Sequence, residues 1–328
     1  MSTSNAGTIN DQRPKPKNAS RALVVAAFAI IYVVWGSTYL AIRVTVETLP
    51  PFLSAAARFS VAGAALLLFL RLRGVPLPDR AQWQRSCIAG ALMLVGGNGL
   101  VVWAEQSISS GLAALLVALT PMWFALLDWA RPGGARPTWK TIVGIIIGFS
   151  GIVVLVNGGA RNGGFLGSLA VIVAGISWAG GSLYSKHTSG ASSPWMNAAT
   201  QMLCGAAGLL LVGLILREPF RTDWSAISGR SLLALVYLII FGSWIAYSAY
   251  VFLLEVSTPS RVSTYAYVNP VTAVFLGWAL LGESVTARML AGMLVVLAGV
   301  VIITVPPLGR GRGLFKASQK LAAGRTRY

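Results

Sequence analysis

Residues Ala22–Leu40 read ALVVAAFAIIYVVWGSTYL and contain no charged residue. A helix that crosses a membrane needs about 20 predominantly apolar residues, which is the length of this run. An apolar run near the N-terminus is also typical of a signal sequence. Here a polar segment precedes the run and many similar runs follow it. We therefore predict a retained transmembrane helix.

Nine further apolar runs follow along the chain. They are Phe52–Leu70, Cys87–Trp103, Leu112–Leu127, Ile142–Val156, Leu166–Tyr184, Met196–Leu216, Leu232–Leu254, Val262–Leu281 and Leu290–Val305. Backbone groups in lipid must form their hydrogen bonds internally, and the runs lack the period-two alternation of a membrane β-barrel. The sequence therefore predicts an all-α integral membrane protein with ten transmembrane helices.

The composition agrees with this class. The chain is 55% hydrophobic and 11% charged, with a mean hydropathy of +0.71. A soluble protein usually carries about 25% charged residues, so an ordinary cytosolic enzyme, a disordered protein and a disulfide-rich secreted domain are excluded. The net charge of +17 comes largely from tails and short loops beside the apolar runs. Such segments contact anionic lipids at the cytoplasmic face, and no nucleic acid partner is expected.

The lysine and arginine distribution predicts the topology. If the N-terminus is cytoplasmic, 19 of the 26 basic residues lie on the cytoplasmic side and 6 on the outer side, with Arg58 inside a span. The positive-inside rule then places both termini in the cytoplasm of a multi-pass protein in the inner (plasma) membrane. Residues 1–21 are predicted to be a disordered tail and residues 306–328 a basic tail. The basic outer loop 217–230 is an exception without an explanation.

An internal repeat organises the apolar part. Trp35 and Pro51 align with Trp178 and Pro194 at an offset of 143, and Pro121 aligns with Pro270 at an offset of 149. The halves are residues 22–156 and 166–305, with five predicted helices each. Five is odd, so the halves must be inverted relative to each other. Inverted repeats are typical of secondary transporters, whose substrate site lies where the repeats meet.

Several motifs of the chain resemble one known family. They are WGSTYLAI at 35–42, Ala57-Arg58-Phe59, LLVALTP at 115–121, Asn269-Pro270, and Leu281-Gly282-Glu283. In this order and spacing the chain resembles the EamA family of the drug/metabolite transporter superfamily. The resemblance implies two inverted five-helix repeats and the movement of small organic solutes, often outward. It does not name a substrate.

Aromatic and polar residues at membrane depth are the candidate substrate contacts, because ligand pockets combine apolar walls with a few polar groups. Trp35 and Trp178 are the first choice, since two indoles across a central cavity could clamp an aromatic or amphipathic solute; the alternative is packing. The other predicted contacts are Tyr39, Asn98, Trp103, Trp123, Tyr184, Tyr247 and Tyr267. A wider group adds Tyr250 and Tyr265, and each of these residues has packing or an interfacial position as its alternative.

Arg58, Pro121 and Pro270 are the predicted gating or ion-pair residues. A charge inside a span is costly, so Arg58 either reaches the headgroups, forms a salt bridge, or faces the cavity as a gate or anion contact. The two prolines are predicted to kink their helices.

The acidic residues near the spans all lie at helix ends. They are Glu105, Asp128, Glu255 and Glu283. A proton relay normally uses a carboxylate at membrane depth, so this arrangement favours facilitated transport or exchange. Glu283 is expected to order its own turn.

Neither a cofactor, a metal nor an enzymatic activity is predicted. The chain has two cysteines, Cys87 and Cys204, and one histidine, His187, too few for a structural zinc site. A disulfide between the cysteines is left open. No phosphate-binding loop for ATP is present. The sequence thus predicts a secondary transporter of small organic metabolites, acting as an exporter. The alternatives are an uptake permease of the same fold and a non-transporting scaffold or receptor, each as a monomer or homodimer.

Overall fold

The computed structural model describes residues 20–131, 134, 136–159, 164–188 and 193–304. Within these ranges all regular structure is helical. Most of the two predicted tails lies outside the described residues. Arg21, which the sequence assigned to the first tail, is instead the first residue of a helix, because Ser20 caps that helix by accepting a hydrogen bond from Leu23 N at 3.2 Å.

The long helices follow one another in antiparallel fashion. They are α1 Arg21–Thr45, α2 Pro51–Leu72, α3 Arg80–Ala104, α4 Ser110–Ala130, α5 Trp139–Gly159, α6 Gly164–Thr188, α7 Pro194–Ile215, α8 Gly229–Val256, α9 Tyr265–Leu281 and α10 Ala287–Thr304. Among the described residues, 7 of these helices are long and apolar enough to cross a membrane. The remaining three, α5, α9 and α10, contain shorter apolar segments, so the number of ten spans stays a prediction.

The connectors gather at two ends of the helix bundle. At one end, Ser228 N donates to Thr48 Oγ1 at 3.2 Å, and Ser110 N donates to Glu283 at 2.9 Å. We call this the Glu105 end; it holds residues 46–50, 105–109, 216–228 and 282–286. The opposite end, the Glu255 end, holds residues 73–79, 193 and 257–264.

Several helix pairs recur when α1–α5 are exchanged for α6–α10. The helices α2 and α7, which are equivalent in the repeat, pack on each other, as do α5 and α10. The pair α3–α6 has its counterpart in α8–α1, and α4–α6 has its counterpart in α9–α1. The core therefore lies between the two halves of the chain.

Glycines allow the closest of these approaches. A Cβ atom on Gly144 would lie 2.7 Å from the carbonyl oxygen of Gly299, and one on Gly299 would lie 2.6 Å from that of Gly144. Small residues at such positions let helix backbones meet in a membrane. These glycines pack α5 on α10 within the chain.

Two helices contain a π-helical segment, Ala91–Gly99 in α3 and Leu238–Tyr247 in α8. The third helix of each half thus carries the same irregularity. π-Helical turns are rare and frequently mark functional sites, because the widened turn re-aims the side chains. Neither segment was predicted from the sequence.

The predicted prolines differ in their positions. Pro121 does not lie within a continuous helix, because α4 is interrupted at 118–119 and Pro121 stands in the first turn of the segment Thr120–Ala130. Its missing N–H costs nothing there, since the first turn has no intrahelical acceptor. Pro270 lies inside α9, as predicted. The two prolines are therefore not matching kinks in uninterrupted helices.

Candidate substrate cavity

A cavity lies at the centre of the bundle, between α1–α4, α6, α8 and α9. The space between its lining atoms is about 640 Å³, part of which is open to the surroundings. The predicted residues that line it are Trp35, Tyr39, Arg58, Asn98, Trp178 and Tyr247. Both halves of the chain contribute to its wall.

The π-helical segments supply opposite parts of this wall. Gly97 and Asn98 come from the segment in α3, and Gly242 and Tyr247 come from the segment in α8. A Cβ atom on Gly97 would lie 3.0 Å from the ring of Trp178, so the glycine makes room for the indole. The side-chain oxygen of Asn98 is buried and has no hydrogen-bond partner among the described residues.

The two repeat-related tryptophans contact each other in the cavity wall. The rings of Trp35 and Trp178 have centroids 5.5 Å apart at an interplanar angle of 80°. Tyr250 packs on both, with centroids 4.9 Å from Trp35 and 5.2 Å from Trp178. A solute between the two indoles would have to move them apart. In this conformation the two rings therefore leave no gap for a solute between them.

Hydrogen bonds fix the orientation of both indoles. Trp178 Nε1 donates to the hydroxyl of Tyr250 at 2.9 Å, and Trp35 Nε1 donates to the carbonyl of Gly242 at 3.3 Å. The Tyr250 hydroxyl also pairs with Ser182 Oγ at 2.8 Å. Both indoles are thus held by α8, which belongs to the other half for Trp35 and to the same half for Trp178.

Tyr250 and Tyr265 belong to the aromatic cluster, although the sequence analysis kept them only in its wider group. Tyr265 lines the cavity, and its ring centroid lies 5.2 Å from that of Trp35. Both helices are apolar around most of their circumference, so hydropathy could not indicate which face is inside. The spacing of three residues between Tyr247 and Tyr250, which places both on one helix face, was the available signal.

Arg58 is buried in the cavity wall, with 4% of its surface exposed. Its Nε donates to Ser243 Oγ at 2.5 Å, and its guanidinium carbon lies 4.7 Å from the ring centroid of Phe59. Its Nη1 is buried without a hydrogen-bond partner among the described residues. Arg58 is therefore buried inside the bundle at the cavity wall, and its role as a gate, an ion-pair partner or an anion contact stays a prediction.

Gln201 is the repeat equivalent of Arg58 and belongs to a neutral hydrogen-bond chain. Its Oε1 accepts from the Tyr247 hydroxyl at 2.9 Å, and its Nε2 donates to Ser185 Oγ at 2.8 Å. At this position the first half therefore has a guanidinium Nη1 without a hydrogen-bond partner among the described residues. The second half has an amide whose oxygen and nitrogen both form hydrogen bonds.

The other predicted site residues do not line the cavity. The Tyr267 hydroxyl donates to Val300 O at 2.8 Å, and the ring of Trp123 packs on Phe149 with centroids 5.4 Å apart. Trp103 and Tyr184 are half-buried. Pro121 and Pro270 are buried in α4 and α9. Substrate contact or gating by these residues stays a prediction.

A basic residue of each half caps a helix of the same half. Arg43 Nη1 donates to the carbonyl of Glu105 at the end of α3. Lys186, its repeat equivalent, donates to the carbonyls of Leu254 at 2.6 Å and Ser257 at 2.5 Å at the end of α8. A cation at a helix C-terminus compensates the negative end of the helix dipole. The capping roles of Arg43 and Lys186 were not predicted from the sequence, although the repeat offset of 143 relates the two residues.

Two carboxylates join the connectors at the Glu105 end to helix starts. Glu283 accepts hydrogen bonds from Ser110 N and Ser110 Oγ, both at 2.9 Å. Glu218 accepts from the backbone N–H groups of Phe52 at 3.1 Å and Leu53 at 2.9 Å. Glu283 therefore does more than order its own turn, since it caps α4, and Glu218 gives the loop 217–230 a structural role.

Cys87 and Cys204 lie against each other between α3 and α7. Both thiols are free, and their sulfur atoms are 2.7 Å apart. No group of histidine, cysteine and acidic residues in the described part of the chain could hold a metal ion.

Comparisons with known proteins identify related transporters. Residues 22–157 and 165–305 both match the EamA-like transporter family. YedA of Escherichia coli K12, described as an inner membrane transporter, is 38% identical over 298 residues, which cover 90% of this chain and 94% of YedA. The transporter YvbV of Bacillus subtilis is 26% identical over 296 residues, covering 89% and 93% of the two chains.

A solved crystal structure has the same fold. It superposes with a TM-score of 0.64 at 22% sequence identity, and the match covers 86% of this chain and 97% of the other.

Proposed function

We propose a function from one premise, that the chain belongs to the EamA-like transporter family. The protein is a secondary transporter of the inner membrane that exports small organic metabolites by alternating access. The observation that carries this proposal is the aromatic cavity between the two halves, with Arg58 in its wall. The relatives described above are transporters, which supports transport over catalysis.

The repeated architecture supports alternating access. Several helix pairs recur when the halves are exchanged, and each half carries one π-helical segment that faces the cavity. In inverted repeats, an exchange of conformations between the halves turns a cavity open on one side into one open on the other. A transporter of this kind needs no ATP, and the gradient of the solute or of a coupled ion drives the flux.

The residues of the cavity wall favour amphipathic or aromatic solutes, including amino-acid-like ones, as substrates. Trp35, Trp178 and Tyr265, which line the cavity, offer ring faces and edges, which favour offset or edge-to-face contacts with apolar or aromatic groups. The free N–H group of Arg58 supplies one polar contact for an anionic group. One cavity cation fits a small anionic group better than the several phosphates of a nucleotide-linked sugar.

An untargeted comparison of released metabolites tests the function. Cells that produce the protein are compared with cells that produce the Trp178→Ala variant, with membrane levels matched. Trp139→Ala is the control, because Trp139 is 75% exposed and remote from the cavity. We expect a small set of aromatic or amphipathic metabolites to accumulate outside the cells for the wild type and the control, and less for Trp178→Ala. Accumulation inside the cells would indicate uptake, and identical profiles would favour a scaffold or receptor.

A further inference from the structure

Glu105 is the most unusual charged residue of the structure. It directly follows the span Arg80–Ala104, and none of its surface is exposed. Both of its carboxylate oxygens are buried without a hydrogen-bond partner among the described residues. Glu218 and Glu283, at the same end, each accept backbone N–H groups. An ionised carboxylate without such partners is unfavourable in a protein interior, so the neutral acid is the form that this site accommodates.

The charged and titratable neighbours do not offset this burial. They are Tyr39 and Arg43 on α1, Arg58 on α2, and Glu283 after α9. Arg43 donates to the backbone carbonyl of Glu105. Burial raises the pKa of Glu105 well above its ordinary value, and Glu283 adds to the increase, whereas Arg43 and Arg58 act in the opposite direction.

An acid near the end of α8, at the opposite end of the bundle, has a different environment. Glu255 lies in the last turn of α8, and it is only half-buried. Its Oε1 accepts a hydrogen bond from Asn197 Nδ2 at 2.8 Å. One end of the molecule therefore seals its carboxyl group and the other leaves it partly open.

Further contacts indicate that the Glu105 end is closed. Ser231 on α8 is fully buried, and its Oγ donates to the carbonyl of Val44 on α1 at 2.7 Å. This contact joins the two halves of the chain at the Glu105 end, next to Arg43, which donates to the carbonyl of Glu105. Opening of this end would separate α1 from α8.

We propose that Glu105 is a proton-binding site whose protonation accompanies closure of the Glu105 end. This inference rests on the proposed alternating access. When the end opens, the carboxyl group meets water and releases one proton to that compartment. When the end closes, it takes one proton back. The pH of the compartment at the Glu105 end therefore determines the fraction of protein molecules whose cavity is open to the opposite compartment.

The direction of the effect follows from proton linkage. In the open end Glu105 has its ordinary pKa, and in the closed end the value is raised, so protons favour closure. The ratio of closed to open protein increases as the pH falls from the raised value towards the ordinary one, by at most about tenfold per pH unit for one proton. If the Glu105 end is the outer end, as the charge distribution predicts, external acidity holds the cavity open to the cytoplasm.

A labelling experiment tests the proposal without a known substrate. Cys87 and Cys204 are replaced by serine, and Ser231→Cys reports the opening of the Glu105 end by its reaction with a maleimide. Reconstituted protein is labelled between about pH 5 and about pH 8, and each rate is divided by that of the same protein carrying Glu105→Gln, which removes the intrinsic pH dependence of the thiol. We expect the ratio to increase with pH by up to about tenfold per unit.

Two variants make the result specific. Glu47→Gln, at the same end but exposed, should keep the wild-type ratio. Glu105→Asp keeps a titratable carboxyl group and should restore a pH dependence that Glu105→Gln lacks. Parallel pH profiles for wild type and Glu105→Gln would overturn the proton site and leave the transporter function standing. A Ser231→Cys protein that never reacts at any pH would contradict alternating access itself.

Infrared difference spectroscopy gives a direct second readout. At neutral pH the wild-type protein should show a protonated carboxyl band that is absent from Glu105→Gln and present in Glu47→Gln. A wild-type spectrum without this band would overturn the proposal.

Discussion

At the scale of single residues, contacts decide between a role in packing and a role in the cavity. Trp35 and Trp178 share the indole ring with Trp139, yet Trp139 is 75% exposed and the other two line the cavity. Arg58 is buried with one free N–H group, whereas its repeat equivalent Gln201 has both of its polar atoms paired. Residues of the same type, and residues at equivalent repeat positions, therefore lie in different surroundings in this chain.

Replacement of the cavity tryptophans should weaken solute binding. Trp35→Ala or Trp178→Ala removes an aromatic contact of roughly 0.5–1.5 kcal/mol, beyond the loss of buried area, so KM should increase by about 2- to 13-fold. Trp178→Phe, which keeps a ring, should have a smaller effect. The measurement is the KM for the solute found by the metabolite comparison, at matched protein levels. Unchanged KM values in both alanine variants would mean that these rings only pack.

The sequence located part of the site and missed the rest for a physical reason. Trp35 and Trp178 were found through the repeat, and Arg58 through its charge in an apolar run. Tyr250 and Tyr265 were not selected, because a helix that is apolar all round gives no periodic signal for its inner face. Glu105 was assigned to a helix end, and its burial arises only from the packing of α1, α2 and the segment after α9 around it.

At the scale of helices, carboxylate side chains from distant segments of the chain cap the N-terminal ends of two helices. Glu283 caps α4 and Glu218 caps α2, so both reach across to the other half of the chain. Sequence analysis predicted the helices themselves from hydropathy. It could not predict these caps, because they join residues more than 160 positions apart.

Neutralisation of either cap should destabilise the protein. Glu218→Gln or Glu283→Gln exchanges a charged acceptor for an amide whose N–H₂ group opposes the backbone donors, at a cost of about 1–3 kcal/mol. Thermal unfolding in detergent should show a lower Tm for both variants. Glu47→Gln is the control and should unfold with the wild type. An unchanged Tm in both cap variants would contradict the assigned hydrogen bonds.

The contact of α3 with α7 predicts a cross-link. Because the sulfur atoms of Cys87 and Cys204 are 2.7 Å apart, a mild thiol oxidant such as diamide should join them, the two thiols giving up two protons and two electrons to the diazene. Peptide mapping by mass spectrometry should find the linked peptides, and Cys87→Ser should abolish them. Failure to cross-link in folded protein would show that the two helices do not meet at this position.

At the scale of the whole molecule, the all-helical membrane fold was predicted from hydropathy, whereas the inverted repeat and the number of ten spans stay predictions. The described helices occur at the ten predicted positions, although 7 of them meet the length and hydropathy expected of a full span. The contact of Gly144 with Gly299 shows why the shorter pair α5 and α10 can still pack closely. Homodimer formation and the binding of anionic lipids at the cytoplasmic face remain predictions.

The topology can be measured independently of transport. Reporter fusions after Tyr328 and within residues 157–165 should lie on opposite sides of the membrane, with the C-terminus in the cytoplasm, because 19 of the 26 basic residues then face inward. Activity of both reporters on one side would contradict the inverted arrangement of the halves.

The central claim is that the two ends open in alternation around one cavity, and reciprocal accessibility tests it most directly. In protein without Cys87 and Cys204, a bismaleimide joins Thr48→Cys to Ser228→Cys and locks the Glu105 end, or joins Gln82→Cys to Asn197→Cys and locks the Glu255 end. In the native protein, Ser228 N donates a hydrogen bond to Thr48 Oγ1 at 3.2 Å. Gln82 Nε2 donates one to Asn197 Oδ1 at 3.1 Å.

With the Glu105 end locked, the maleimide labelling of Ser86→Cys at the other end should become faster. With the Glu255 end locked, labelling of Ser231→Cys should become faster, in both cases without ATP. Labelling rates at each end that do not respond to the lock at the other end would contradict alternating access.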